Sequence, residues 1–111
     1  MALATKTANL RPAYEDEVRR SIEQGDLVLV DFSAEWCGPC RSLKPVLADL
    51  ASRHPLLTIL EVDIERNDAL ADAFGVQSVP TFLLFKDGAC VDRRIGKLPF
   101  VELDRMIARH S

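Results

Sequence analysis

Two runs of consecutive apolar, largely β-branched residues, LVLVDFS (27–33) and LLTILEVDI (56–64), constrain this chain more than any other feature. A strand with one wet face alternates apolar and polar residues. Unbroken runs belong to strands covered on both faces. Between the two runs, Leu43, Val46, Leu47, Leu50 and Ala51 recur at helical spacing from Cys40 onward. Strand, helix and second buried strand form a crossover unit, which needs a sheet with helices packed on it.

The rest of the chain extends that unit. TFLLFK (81–86) reads as a strand, Asp87-Gly88 as a hairpin turn, and CVDRRI (90–95) as the return strand. Residues 13–24 read as a helix after Pro12, with Glu15/Arg19 and Asp16/Arg20 as i,i+4 pairs and Gly25 as its stop. The segment 67–75 is a short helix with Asn67 as cap and Gly75 as stop. Phe100, Leu103, Met106 or Ile107, and His110 mark a C-terminal helix beginning near Pro99. Pro45 lies inside the second helix and is expected to kink it. A weak extra strand is expected near Leu3–Lys6. The order α-β-α-β-α-β-β-α predicts an α/β fold: one central mixed sheet of four to five strands, flanked by helices on both faces. With 111 residues, 48% of them hydrophobic, the chain suits a single domain over 1–111.

Charge and cysteine usage exclude several functions. A net charge of −3 supplies no basic stripe, so nucleic acid is not an expected partner. No apolar run approaches a membrane span, and the N-terminus lacks the apolar core of a signal peptide. Three cysteines, an odd count, argue against a disulfide-stapled secreted scaffold and for a reducing, cytoplasmic setting. A monomer is expected.

Directly after the first buried strand stands WCGPC, with Cys37 and Cys40 at C-x-x-C spacing. Zinc would need two further ligands, whereas His54 and His110 are isolated and Cys90 is alone, so no metal is expected. A purely structural disulfide would close a very short loop, for which the entropic gain is small. A redox-active dithiol accounts for the neighbouring residues as well. Cys37 falls where a strand ends and a helix begins, so free amide groups and the helix dipole favour its thiolate. Cys40 lies a turn further in, less exposed, within reach of a mixed disulfide at Cys37. Gly38 admits a partner's backbone, and Pro39 stiffens the turn.

VDFSAEWCGPC resembles the active-site segment of the thioredoxin family, and SVPTFLLFKDG resembles the same family's later cis-proline segment. The resemblance runs from about residue 13 to the end and implies a thioredoxin fold. It implies Cys37 as nucleophile, Cys40 as resolving thiol, and Asp31 as a buried acid that takes the resolving thiol's proton. Pro80 would be cis, presenting the backbone of Val79 to an extended substrate, with Trp36 as one wall of the groove and Gly96 as the opposite rim. Ser33 and Glu61 depart from the commonest bacterial pattern, which has Trp and Lys there, and are similar to animal-type members. Cys90 is expected to be a small packing residue.

The implied function is reversible dithiol/disulfide exchange that reduces protein disulfides, with no cofactor bound. Recycling would come from a thioredoxin reductase, through which alone FAD and NADPH enter. Clients would be disulfide-containing proteins such as reductases and peroxidases that finish a turnover oxidised. Two alternatives stay open at this point: an oxidase or isomerase of the same fold, and a non-catalytic binding module using the same groove.

Overall fold

Strand β2 (Leu27–Ser33) runs through the middle of a five-stranded sheet of order β1-β3-β2-β4-β5. The coordinates are those of a computed structural model and describe residues 9–111. The other strands are β1 (Leu10–Pro12), β3 (Leu57–Asp63), β4 (Thr81–Lys86) and β5 (Ala89–Ile95). The five helices are α1 (Glu15–Glu23), α2 (Gly38–Ser42), α3 (Lys44–Arg53), α4 (Asp68–Ala73) and α5 (Phe100–His110). β1 and β2 both pair with β3 in parallel, while β2–β4 and β4–β5 are antiparallel, so the sheet is mixed as expected.

The unbroken apolar runs have the cause inferred for them. On one face of the sheet Val28, Val30 and Phe32 pack with Leu60, Val62, Leu83 and Phe85 against Val18 of α1 and Leu70 of α4. On the other, Leu29, Ile59, Phe82 and Leu84 pack against Leu43, Leu47 and Leu50 and against Leu103, Met106 and Ile107 of α5. Side chains alternate along a strand. Asp31, two residues beyond Leu29, therefore shares the face that α3 covers.

Several local expectations need correction. The chain between β2 and β3 is two helices broken at Leu43, where one kinked helix was expected. The Leu43 N–H bonds to Cys40 O at 3.2 Å in a tighter turn, and Pro45 sits in the first turn of α3, where it needs no donor. Asn67 precedes α4 but does not cap it with its side chain; its amide donates to Asp63 O at 3.0 Å instead. The expected strand at Leu3–Lys6 lies outside the described residues. The first described strand is β1, which pairs Leu10 with Ile59. Both Met106 and Ile107 are buried, so the α5 stripe is wider than a choice between them. Cys90 is not a packing residue: it is exposed on the edge strand β5, next to a bulge, and its thiol donates to Asp92 O at 3.4 Å.

The two-faced core predicts a sharp contrast between leucines. Leu29→Ala opens a cavity under α3 and should cost about 2–5 kcal/mol. Leu56, exposed in the turn before β3, should change stability by under about 0.5 kcal/mol on the same substitution. Urea unfolding of both variants measures the difference; equal midpoints would contradict the packing described.

Candidate active site

Cys37 ends the strand-to-helix connection and Cys40 lies inside α2, and the two form a disulfide with Cα atoms 5.3 Å apart. The fold builds this from short-range bonds. Cys37 N–H donates to Ala34 O at 3.1 Å, closing the turn after β2. Cys37 is the N-cap of α2 in extended conformation, and its sulfur accepts from the Cys40 N–H at 3.2 Å. That places an amide donor on the sulfur predicted to become thiolate, as the sequence argument required. Gly38 faces open space, with no heavy atom within 4 Å of where a Cβ would stand, and Pro39 occupies the first turn.

One expectation about the thiols fails. Cys37 was to be the exposed one, yet the residues are buried alike, 5% against 6% exposed. What separates them is the cavity, which Cys40 lines and Cys37 does not. Cys40, together with Asp31, Ser33, Lys44 and Glu61, lines a cavity of about 510 Å³ that reaches under α2 from the β1 side.

Asp31 is 4% exposed, and its Oδ1 has no hydrogen-bond partner among the described residues. Its carboxyl is pushed up to about 7, first by burial and then by the charge of Glu61, with Lys44 acting the other way. The parallel register sets Glu61 beside Asp31. Lys44 Nζ meets Glu61 Oε2 at 3.2 Å. Sequence reasoning missed Lys44, although it stands four residues after Cys40 and lines the same cavity.

Of the other residues singled out in the sequence, Val79 is the one packed against the disulfide cluster. The Val79–Pro80 bond is cis. Val79 packs against the cluster of Ala34, Cys37 and Cys40. Gly96 N–H donates to Pro80 O at 2.9 Å, and at φ +95 it holds a left-handed conformation that favours glycine. Trp36 is 63% exposed next to Cys37. Among the described residues no cluster of three or more His, Cys, Asp and Glu side chains is fit to hold a metal. His54 and His110 instead face Asp104 at 2.7 Å and Asp92 at 3.5 Å. No helix among the described residues is long and apolar enough to cross a membrane.

Comparison with known proteins gives a consistent picture. The family model described as Thioredoxin matches residues 6–109. A thioredoxin of Chlamydia muridarum is 49% identical over 97 residues, covering 87% of this chain and 94% of the relative. The X-ray structure of Fasciola hepatica thioredoxin superposes with a TM-score of 0.84 at 36% identity, covering 92% of this chain and 100% of that one. A third similar chain comes from work on the thiol resolving mechanism in yeast mitochondrial 1-Cys peroxiredoxin via glutathione/thioredoxin systems. Its TM-score is 0.84 at 29% identity, covering 92% of this chain and 96% of that one.

The raised carboxyl predicts a pH signature with a definite sign. The unfolded chain loses the Asp31 proton near 3.8 and the folded one near 7, so ionisation costs stability as pH rises through that window and no more above it. The full cost is on the order of 4 kcal/mol. Asp31→Asn should match the wild type below about pH 4 and be more stable by about 2–4 kcal/mol at pH 8, measured by urea unfolding. A constant difference across pH would show that Asp31 does not titrate as described. Lys44→Met removes the cation that acts on the pair, so the wild-type window should extend to higher pH.

Proposed function

The chain belongs to the thioredoxin family and, on that premise, we propose that Cys37 attacks, Cys40 resolves and Asp31 receives the resolving proton. The protein is a protein-disulfide oxidoreductase that works by dithiol/disulfide exchange through Cys37 and Cys40. In the reducing direction the Cys37 thiolate attacks a client disulfide, its sulfur bonds to one client sulfur, and the other leaves as thiolate. Cys40 then gives up its proton and attacks Cys37 Sγ. The second client thiolate is released, and the pair is left oxidised with two electrons delivered to the client.

One observation carries the assignment of roles: Cys40, and not Cys37, opens with Asp31 on the same cavity. A group pushed up to about 7 gains and loses a proton near neutral pH, as a base must. The cavity is wide enough for water to carry the proton between them. Cys37, as N-cap, has the amide donor that favours thiolate, and Gly38 and Pro39 beside it are exposed to an incoming chain. Val79, cis-Pro80, Trp36 and Gly96 would form the groove that holds the client in extended form.

Oxidised protein would be returned to the dithiol by a thioredoxin reductase, which carries FAD and draws on NADPH. Clients would be proteins that end a turnover with a disulfide. The similarity to a chain studied with a 1-Cys peroxiredoxin supports peroxidases among them. The exposed, unbridged Cys90 favours a reducing compartment such as the cytoplasm. One continuous sheet through the described residues supports a single domain.

Cys40→Ser should trap clients as stable mixed disulfides through Cys37, and Cys37→Ser should trap none. Non-reducing gels of either variant mixed with oxidised client would show it, and trapping by Cys37→Ser would reverse the roles. Insulin reduction with thioredoxin reductase and NADPH tests the activity itself. Absence of turnover with an intact disulfide pair would favour the binding module.

A further inference from the structure

The segment that carries Val79 is held at both ends, and at its start the hold comes from a side chain of β5 with no part in the chemistry above. At the end of α4 the chain leaves the helix through Gly75 at φ +68. Gly75 N–H bonds to Asp72 O at 3.0 Å and Val76 N–H to Ala71 O at 2.9 Å. This double cap satisfies two of the final carbonyls. Beyond them, the carbonyls of Phe74 and Gly75 point towards β5. Arg93 lies in β5 opposite Leu83, and its guanidinium meets both of them: Nη1 donates to Phe74 O at 2.9 Å and Nη2 to Gly75 O at 2.7 Å. Four residues on from Gly75 stands Val79.

The far end of the same segment is fixed by Thr81 Oγ1 donating to Ser78 O at 2.7 Å and by Gly96 N–H on Pro80 O at 2.9 Å. Gly96 comes three residues after Arg93, just beyond the end of β5. The segment is therefore held before and after Val79. We propose that Arg93 is a positioning residue for client binding: its fork fixes the start of the 75–80 segment so that Val79 meets the client's backbone at the right height over the disulfide.

Chemistry and geometry both favour this reading over a general surface contact. A planar guanidinium satisfies two successive carbonyls at once, which a lysine's single ammonium does not. A cation also suits the negative end of a helix. Elsewhere the helix end is already pinned by packing, with the Phe74 ring 6.2 Å from Phe32, 5.5 Å from Phe85 and under the Arg19 guanidinium at 5.7 Å. Loss of Arg93 thus leaves the ring seated and frees the backbone that follows it.

This inference rests on Val79 pairing with clients in the groove, so the test carries an arm for each. Reduced protein is mixed in single turnover with insulin, whose disulfides lie in a polypeptide, and with 5,5′-dithiobis(2-nitrobenzoate), a small disulfide that needs no backbone pairing. Arg93→Met should lower the insulin rate by about tenfold, the equivalent of one ordinary hydrogen bond, and leave the small-disulfide rate within about twofold. Arg93→Lys should fall between. Trp36→Ala reports on the groove itself. If it spares the ratio of the two rates, the groove reading fails. If it lowers the ratio while Arg93→Met does not, the groove stands and the Arg93 assignment falls. Loss of both rates together in Arg93→Met would mean a purely structural role. Amide hydrogen exchange at residues 76–79 provides the second readout, which should quicken in Arg93→Met while β2 stays protected; unchanged exchange there would also overturn the proposal.

Discussion

Burial of one carboxyl in the sheet is the constraint on which the site depends. Asp31 stands in β2, the strand with neighbours on both edges and helices over both faces. Its Oδ1 is buried and has no hydrogen-bond partner among the described residues, so its charged form is penalised where a surface aspartate would be ionised throughout. Such a group survives because the apolar packing on either side is extensive. Val28, Leu29, Val30 and Phe32, all fully buried, surround it along the same strand. A shorter or one-sided sheet would hydrate the carboxyl and return its affinity for protons to the ordinary range.

The two cysteines differ through position and not through exposure. α2 begins between them, so one sulfur caps the helix and receives an amide, while the other residue lines the cavity that Asp31 also lines. An exchange protein needs a thiol that ionises easily and one that keeps its proton until the mixed disulfide exists. The five-residue α2 puts an amide on the Cys37 sulfur and sets Cys40 on the cavity that Asp31 lines, the arrangement on which the proposed roles rest. Pro39 and Pro45 fit this because each falls in the first turn of its helix, where a missing donor is harmless.

Most of this was legible in the chain. Strands β2 and β4 have the bounds inferred, and WCGPC with SVPT brought Cys37, Cys40 and Val79 to one place. The failures have physical causes. β1 is three residues long with no periodicity to detect, and only its pairing with β3 makes it a strand. Asn67 has the composition of a cap, but a carbonyl at Asp63 competes for its amide. Cys90 looks apolar in a list of residues, and the edge and bulge that expose it belong to the sheet. Lys44 and Arg93 were missed because each acts across elements, on Glu61 in β3 and on the end of α4. No spacing within one element reports such contacts.

The balance around Asp31 also decides what can tune it. Burial is the largest influence, the Glu61 charge the next, and the opposing Lys44 charge smaller still. Lys44 is 65% exposed and Glu61 21%, so their influence passes partly through water and is weakened by salt. Burial is insensitive to salt. Exchange that depends on the Asp31 proton should therefore tolerate changes in ionic strength. It should respond instead to anything that opens the cavity, since hydrating Oδ1 removes the dominant cause. A member with lysine at position 61 would place the cation beside the acid directly. With glutamate at 61 the cation has to come from the helix, and Lys44 stands there at the start of α3, four residues after Cys40. Helix and thiol are thus coupled to the acid through one short stretch of chain, so movement of α3 would alter proton affinity and thiol position together.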